Sequence, residues 1–259
     1  MTRLIVLTDL HYTATAPETG PDPDTRLAAA LDHALACVPD AALIVITGDL
    51  TDKGDAASYA RLRARLAGLP VPVQLMIGNH DHRENFLAAF PDTPCDADGF
   101  VQSYRDLGDT RLVFLDTLFA PPYEYPASHC GWLCDSCMAW LDGVLSEAPG
   151  RVVIFLHHPP HETGFRAMDY LRLRNGAAFH DLIGRHGNVA LTVSGHVHRN
   201  ISGAHRGTPF AVFKSPMRQM PLDFETLDFH AECDDPPGFG ILTLTLDAVQ
   251  VQTEDVPLK

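Results

Sequence analysis

Five stretches of this chain run apolar for four to six residues and then stop on a side chain that can ligate a metal, and this pattern constrains the fold more than any other feature. They read LIVLTDLH to His11, LIVITGD to Asp49, VQLMIGNHD to Asp81, VVIFLHH to His158 and ALTVSGHVH to His198. Short β-branched runs bounded by turn residues are buried strands, and an open α/β sheet binds its ligands beyond the carboxyl ends of its strands. The five ends therefore point to one place. That place offers Asp9, His11, Asp49, Asn79, His80, His157, His196 and His198, a nitrogen and oxygen set without thiolate that suits borderline divalent ions such as Zn, Mn, Fe or Co.

At 259 residues the chain can bury a large core without disulfide staples, and it reads as one α/β unit with a C-terminal extension. The net charge of -14 disfavours nucleic acid as a partner, because a phosphate backbone is held by clustered Lys and Arg, and the densest basic alternation is Arg61, Arg63, Arg65. With the first strand beginning at Leu4, no room precedes it for a secretory leader, and no window has the apolar length of a membrane span. A cytoplasmic protein that does not enter membranes is expected, with its six cysteines reduced. Cys130, Cys134 and Cys137 have the CxxxCxxC spacing that holds iron–sulfur clusters in radical enzymes. The surrounding Gly131-Trp132-Leu133 and Met138-Ala139-Trp140-Leu141, however, read as a helix start with Cys137 on its apolar face, which is the reading adopted.

After the first strand, the Pro-, Thr- and Asp-rich stretch from Thr13 to Asp24 is loop, and Asp24 is expected to cap a helix carrying Leu27, Leu31 and Leu35. Asp55 is expected to cap a second, from Ser58 to Leu69. Strand and helix alternate in the βαβ rhythm of a doubly wound sheet. Further helices are expected over Arg83 to Phe90 and Ala177 to Arg185, and the aperiodic segment Phe119 to Ser128 is a candidate lid. From Phe210 the pattern becomes strands alone, Phe210 to Phe213, then Ile241 to Leu246 and Val249 to Val251 around a turn at Asp247-Ala248. The expected division is a core over residues 1–205 and C-terminal strands over 206–259 that complete a second sheet, act as a lid element or offer an edge to a second copy.

Asp9 and His11 lie two residues apart, so at a strand end both leave on the same side and can grip one ion. His196 and His198 repeat that spacing. Asp49 has two carboxylate oxygens and could bridge two ions, whereas Asn79 is a neutral oxygen donor. A single histidine of this kind is more often a satisfied core or surface residue than a ligand, but five strand ends carrying donors in concert are not explained that way.

In this order, DLH, GDLTDKG, GNHD, HHPP and GHVH resemble the signature of the calcineurin-like metallophosphoesterases, and HHPP with GWL…WL at Gly131 to Leu141 is similar to bacterial cyclic-nucleotide and glycerophosphodiester phosphodiesterases. The resemblance implies an α/β fold, a metallophosphoesterase-type β-sandwich flanked by helices in four αββα layers. It also implies a binuclear centre. One ion would be held by Asp9, His11, Asp49 and His198, the other by Asp49, Asn79, His157 and His196. Of the tandem pair, His157 is preferred to His158 because the family ligand stands two residues before the first proline. His80 would contact the reacting phosphoryl group, with Asp81 orienting it. Two ions about 3.5–4 Å apart would clamp the substrate oxygens and lower the pKa of bound water to roughly 7, giving a hydroxide for in-line attack on phosphorus.

The expected activity is hydrolysis of a small phosphate diester, a 3',5'-cyclic nucleotide or a glycerophosphodiester. A phosphomonoesterase or nuclease of the same superfamily and a catalytically silent metal-binding scaffold are the alternatives. Substrate contacts are expected from the rim loops, at His161, Arg166 and Asp169, at Tyr123 and Tyr125, and at Arg218.

Overall fold

The computed structural model describes residues 1–18, 20–118 and 124–257. Its elements in chain order are β1 (Thr2–Leu7), α1 (Pro23–Cys37), β2 (Ala41–Ile46), α2 (Ala56–Leu66), β3 (Val73–Leu75), α3 (Arg83–Ala89), β4 (Ser103–Leu107) and β5 (Thr110–Leu115), then α4 (Asp135–Ser146), β6 (Arg151–Leu156), α5 (Arg166–Leu171), α6 (Gly176–His186), β7 (Val189–Ser194), β8 (Ile201–His205), β9 (Thr208–Val212), β10 (Gly238–Leu244) and β11 (Val249–Asp255). They form two sheets, ordered β11-β10-β1-β2-β3 and β4-β5-β6-β7-β9-β8.

The strands read as continuous apolar runs because both faces of each sheet are covered. Successive side chains point to opposite faces, so Leu4 and Val6 of β1 meet Val153 and Phe155 of β6 in the core between the sheets. Ile5 and Leu7 face the other way and pack with Leu27 and Leu31 of α1 and Tyr59 and Leu62 of α2. On the far side, Val113, Ile154 and Leu156 meet Leu141 and Val144 of α4 and Phe179 and Ile183 of α6. The layers are therefore αββα, as expected. Strands β1, β2 and β3 are parallel, as are β5, β6 and β7, and the loops that follow β1, β2, β3, β6 and β7 come together between the two sheets.

Two expectations differ from the structure. Asp22, not Asp24, caps α1, its carboxylate accepting from the backbone N–H groups of Asp24 and Thr25 with Pro23 at the first helical position. Asp24, in the first turn, pairs with Arg65 at 2.6 Å and with the Tyr12 hydroxyl. The last two strands do not complete the second sheet. β10 pairs antiparallel with β1 and β11 with β10, extending the first sheet, because Ile241 and Leu242 serve the outer and inner cores just as Ile5 and Leu4 do. The second sheet is completed by the β8–β9 hairpin, which straddles the division expected at residue 205. Tyr123 and the first part of the candidate lid, 119–123, lie outside the described residues; its remainder ends in a 3-10 turn at Ala127–His129. No described helix is long and apolar enough to cross a membrane.

Candidate metal centre

Each donor leaves its strand on a tight loop, and the backbone shows what that costs. Asp9, His11, Asp49, His196 and His198 all have positive φ, between 41° and 69°, a region that non-glycine residues seldom occupy. Close packing explains part of the glycine pattern. A Cβ on Gly78 would lie 2.3 Å from Asp49 Oδ1 and 2.7 Å from His157 Nε2, and one on Gly195 would lie 1.8 Å from Thr8 Oγ1. Only hydrogen fits at those two positions.

Three imidazoles are fixed in the same way. His157 Nδ1 donates to the Thr47 carbonyl at 3.1 Å, His198 Nδ1 to the Arg218 carbonyl at 2.9 Å and His80 Nδ1 to the Asp52 carbonyl at 2.9 Å, each leaving Nε2 directed into the site. His157 Nε2 then stands 3.1 Å from Asn79 Oδ1 and 3.4 Å from Asp49 Oδ2. His198 Nε2 stands 3.4 Å from Asp9 Oδ1 and 3.1 Å from His11 Nε2. The buried Nε2 of His196 has no hydrogen-bond partner among the described residues. Donor atoms of Asp9, His11 and His198, of Asp9, Asp49 and His157, and of His157, His158 and His196 gather within 4.8 Å of one another. Imidazole nitrogens facing each other, an orphaned ring nitrogen and two buried carboxylates fit divalent cations, which would satisfy all of them at once.

His158 differs from its neighbour. Its Nδ1 accepts from the Thr117 hydroxyl at 2.7 Å and its Nε2 donates to the His129 carbonyl at 3.2 Å, so neither nitrogen is left for an ion. Burial drives its pKa well below the usual histidine range, as it does for His196, and lowers that of His11 too, keeping all three neutral. Burial would raise the Asp49 carboxyl, but the rings of His157 and His80 hold it well below the usual carboxylate range. His157 moves the opposite way: burial opposes its charge, yet Asp49 and Asp9 pull it up to about 9. His80 is likewise raised, Asp49 and the Asp52 carbonyl overcoming burial.

Asp81 does not orient His80. Its carboxylate accepts from the backbone N–H groups of Leu50, Thr51 and Gly78 at 3.0, 3.2 and 2.9 Å and from the Tyr59 hydroxyl at 2.8 Å. With the Thr51 hydroxyl at 3.3 Å, donors from two loops and from α2 hold it beneath the site, where it sets the spacing of the Asp49 and Asn79 loops. Burial and the charge of Asp49 push it up to about 6.

The centre forms one end of a cavity of about 360 Å³. Tyr125 and Arg218 line it as expected, but both are engaged: the Tyr125 hydroxyl bonds His230 Nε2 at 2.8 Å, and Arg218 reaches Asp52 at 3.7 Å and pairs with Glu232. His161 and Arg166 do not line it. His161 is buried 4.1 Å from the Phe210 ring and close to His180 and His205, and Arg166 is exposed beside Glu225. Asp169 accepts from the Thr163 and Gly164 backbone. In their place stand His129, Met168, Leu171, Met220, Phe229 and His230. His129 and His230 lie in aperiodic loops that carry no sequence signal. The apolar spacing of Met168 and Leu171 could have been read as one face of a short helix.

Fold and donor set together define two helix-flanked sheets with a candidate divalent-metal site at their strand ends. The chain belongs to the calcineurin-like phosphoesterase family, whose profile matches residues 2–200, and is accordingly a phosphoester hydrolase. A probable cyclic nucleotide phosphodiesterase of Rhodopseudomonas palustris is 37% identical over 252 residues, covering 96% of this chain and 90% of its own. A glycerophosphodiester phosphodiesterase of Enterobacter lignolyticus is 30% identical over 192 residues, 72% of this chain and 66% of its own. A dimetal phosphatase from Danio rerio shares the fold with a TM-score of 0.72 at 17% identity, over 99% of this chain and 96% of that one.

Proposed function

We propose that the protein hydrolyses a small phosphate diester, foremost a 3',5'-cyclic nucleotide, at a centre of two divalent ions (Mn, Fe, Zn or Co). The observation that carries this reading is the lining of the cavity. His11, Asp49, Asn79, His196 and His198 line it with the fully buried Asp9 and His157 close behind, and the same cavity carries an apolar and aromatic lining from Met168, Leu171, Met220, Phe229 and Tyr125. An apolar lining suits the face of a nucleobase better than a glycerol hydroxyl. Asp9, His11, Asp49 and His198 would hold one ion, and Asp49, Asn79, His157 and His196 the other, with Asp49 common to both. When bound, the ions supply charge to the phosphoryl oxygens and acidity to water.

His80 would act on the substrate. Its Nδ1 is committed to the Asp52 carbonyl and its Nε2 is turned to the cavity, so a protonated ring can give its proton to the oxygen that leaves phosphorus, and the Asp49 charge favours that form. Asp52 Oδ1 lies 3.5 Å from His11 Nδ1, which has no hydrogen-bond partner among the described residues, and would orient that ring on ion binding. The second reading is a glycerophosphodiesterase, favoured by the Enterobacter lignolyticus relative. Assays of cyclic nucleotides and glycerophosphodiesters at matched metal content test the choice. Higher kcat/KM for cyclic nucleotides supports the proposal, and preference for glycerophosphodiesters would replace it with the second reading.

A further inference from the structure

Outside the metal centre, α4 opens on Cys134-Asp135-Ser136-Cys137. Cys134 is the helix N-cap. Its sulfur accepts from the Cys137 backbone N–H at 3.3 Å and lies 3.2 Å from Ser136 Oγ, while the two cysteine sulfurs stand 2.8 Å apart as free thiols. Their surroundings are unequal, since Cys134 is half-buried and Cys137 is fully buried against Leu141 and Leu133. The Leu133 backbone is tied on both sides by the Asn175 amide, at 3.2 and 2.6 Å, so tertiary contacts hold the cap that presents Cys134. Cys130 is turned elsewhere, with Arg174 Nε 3.1 Å and the Tyr170 carbonyl 3.4 Å from its sulfur, so it does not join the pair, and the three-cysteine cluster geometry is not formed.

Burial opposes ionisation of Cys134, but donors from Cys137 and Ser136 at the positive end of the helix outweigh it and set the thiol below its ordinary range. Burial pushes Cys137 strongly up. The accessible sulfur is thus the one poised to attack, and the protonated one lies directly behind it.

We propose that Cys134 and Cys137 form a reversible redox pair, oxidised to an intrachain disulfide by a low-molecular-weight disulfide such as oxidised glutathione. The Cys134 thiolate attacks one sulfur of that reagent, forming a mixed disulfide and releasing one thiolate, which takes up a proton. Cys137 then loses its proton to solvent and attacks Cys134 Sγ, closing the intrachain bond and expelling the second thiolate. The protein loses two electrons and two protons, and the reagent is reduced to two thiols.

The full chain, loaded with metal, is incubated across a series of reduced to oxidised glutathione, then alkylated and mapped by mass spectrometry. The expected result is a loss of two hydrogens localised to Cys134 and Cys137 and restored by dithiothreitol. Cys137→Ser should instead trap glutathione on Cys134, and Cys134→Ser should give neither product. Under reducing conditions, Cys134 in the unaltered protein should be alkylated before the exposed Cys37 and Cys95. Thiols that stay free across the series, a bridge mapped to another pair, or a Cys134 that trails Cys37 and Cys95 would each overturn the proposal.

Discussion

Backbone strain and side-chain donors coincide in this chain. Among the described residues, six non-glycine positions have positive φ, and five of them are Asp9, His11, Asp49, His196 and His198. Such conformations cost on the order of 1–3 kcal/mol each and persist only where the surroundings fix them. Here the parallel strands and the glycine-backed loops do so. Proton and ion compete at His157. Its folded pKa of about 9 keeps the ring charged at neutral pH, whereas a ligand must be neutral, so metal uptake should release about one proton per chain and affinity should rise with pH up to about 9. Calorimetric metal titrations at pH 7 in buffers of different ionisation heat check this, and heats independent of buffer would refute it. His80→Ala should lower kcat by about 10²–10⁴-fold with metal content unchanged, and by less for substrates with a good leaving group such as p-nitrophenolate. An equal loss for good and poor leaving groups would reject proton donation. The donors were legible in the sequence because each ends an apolar run. The role of Asp81 was not, since nothing in GNHD tells whether its carboxylate turns to His80 or to the amides of Leu50, Thr51 and Gly78.

The strand-and-loop unit is the element on which the site depends, and Gly78 is the point where its backbone passes close to both Asp49 and His157. Gly78→Ala would drive a methyl into Asp49 and His157, and displacing those donors should reduce metal affinity about 10–100-fold, as measured by competition with a chelator. Unchanged affinity would mean that the loop has slack the structure does not show. A different element carries His161. With buried His180 of α6 and half-buried His205 of β8 it makes an imidazole cluster, in which burial, then the neighbouring rings, lower His161 and His180 to about 4. The sign follows from which state binds protons. Between pH 6.5 and about 4 the unfolded rings are protonated and the folded ones are not, so stability is complete above pH 6.5 and falls as pH drops through that window, by up to about 3 kcal/mol per ring. The urea midpoint of metal-free protein should drop from pH 7 to pH 5, and His180→Leu should lessen the drop; an equal drop in both would exclude the cluster as its source. In sequence His161 resembles a substrate contact because it follows HHPP, whereas the partners that surround it, His180, His205 and Phe210, come from α6, β8 and β9.

Across the whole molecule, the family resemblance implied the αββα layering, but nothing in the sequence told the edge on which a late strand pairs. β10 and β11 could have joined either sheet by pattern alone, and the choice rests on matching Leu4 and Ile5 with Leu242 and Ile241 from the other end of the chain. Segments remote in sequence also finish the cavity, Met168 and Leu171 from α5 and Arg218 to Glu232 from the loop before β10. Asp49 faces donors from both sheets, its Oδ2 3.4 Å from His157 Nε2 and 3.8 Å from His11 Nε2, and the proposed function requires that two ions share it. That requirement is tested most directly by metal analysis of the purified protein and of Asp49→Asn. Two ions per chain in the former, with both weakened and activity lost in the latter, is the predicted result; a single tightly held ion that Asp49→Asn leaves in place would contradict a shared two-metal centre.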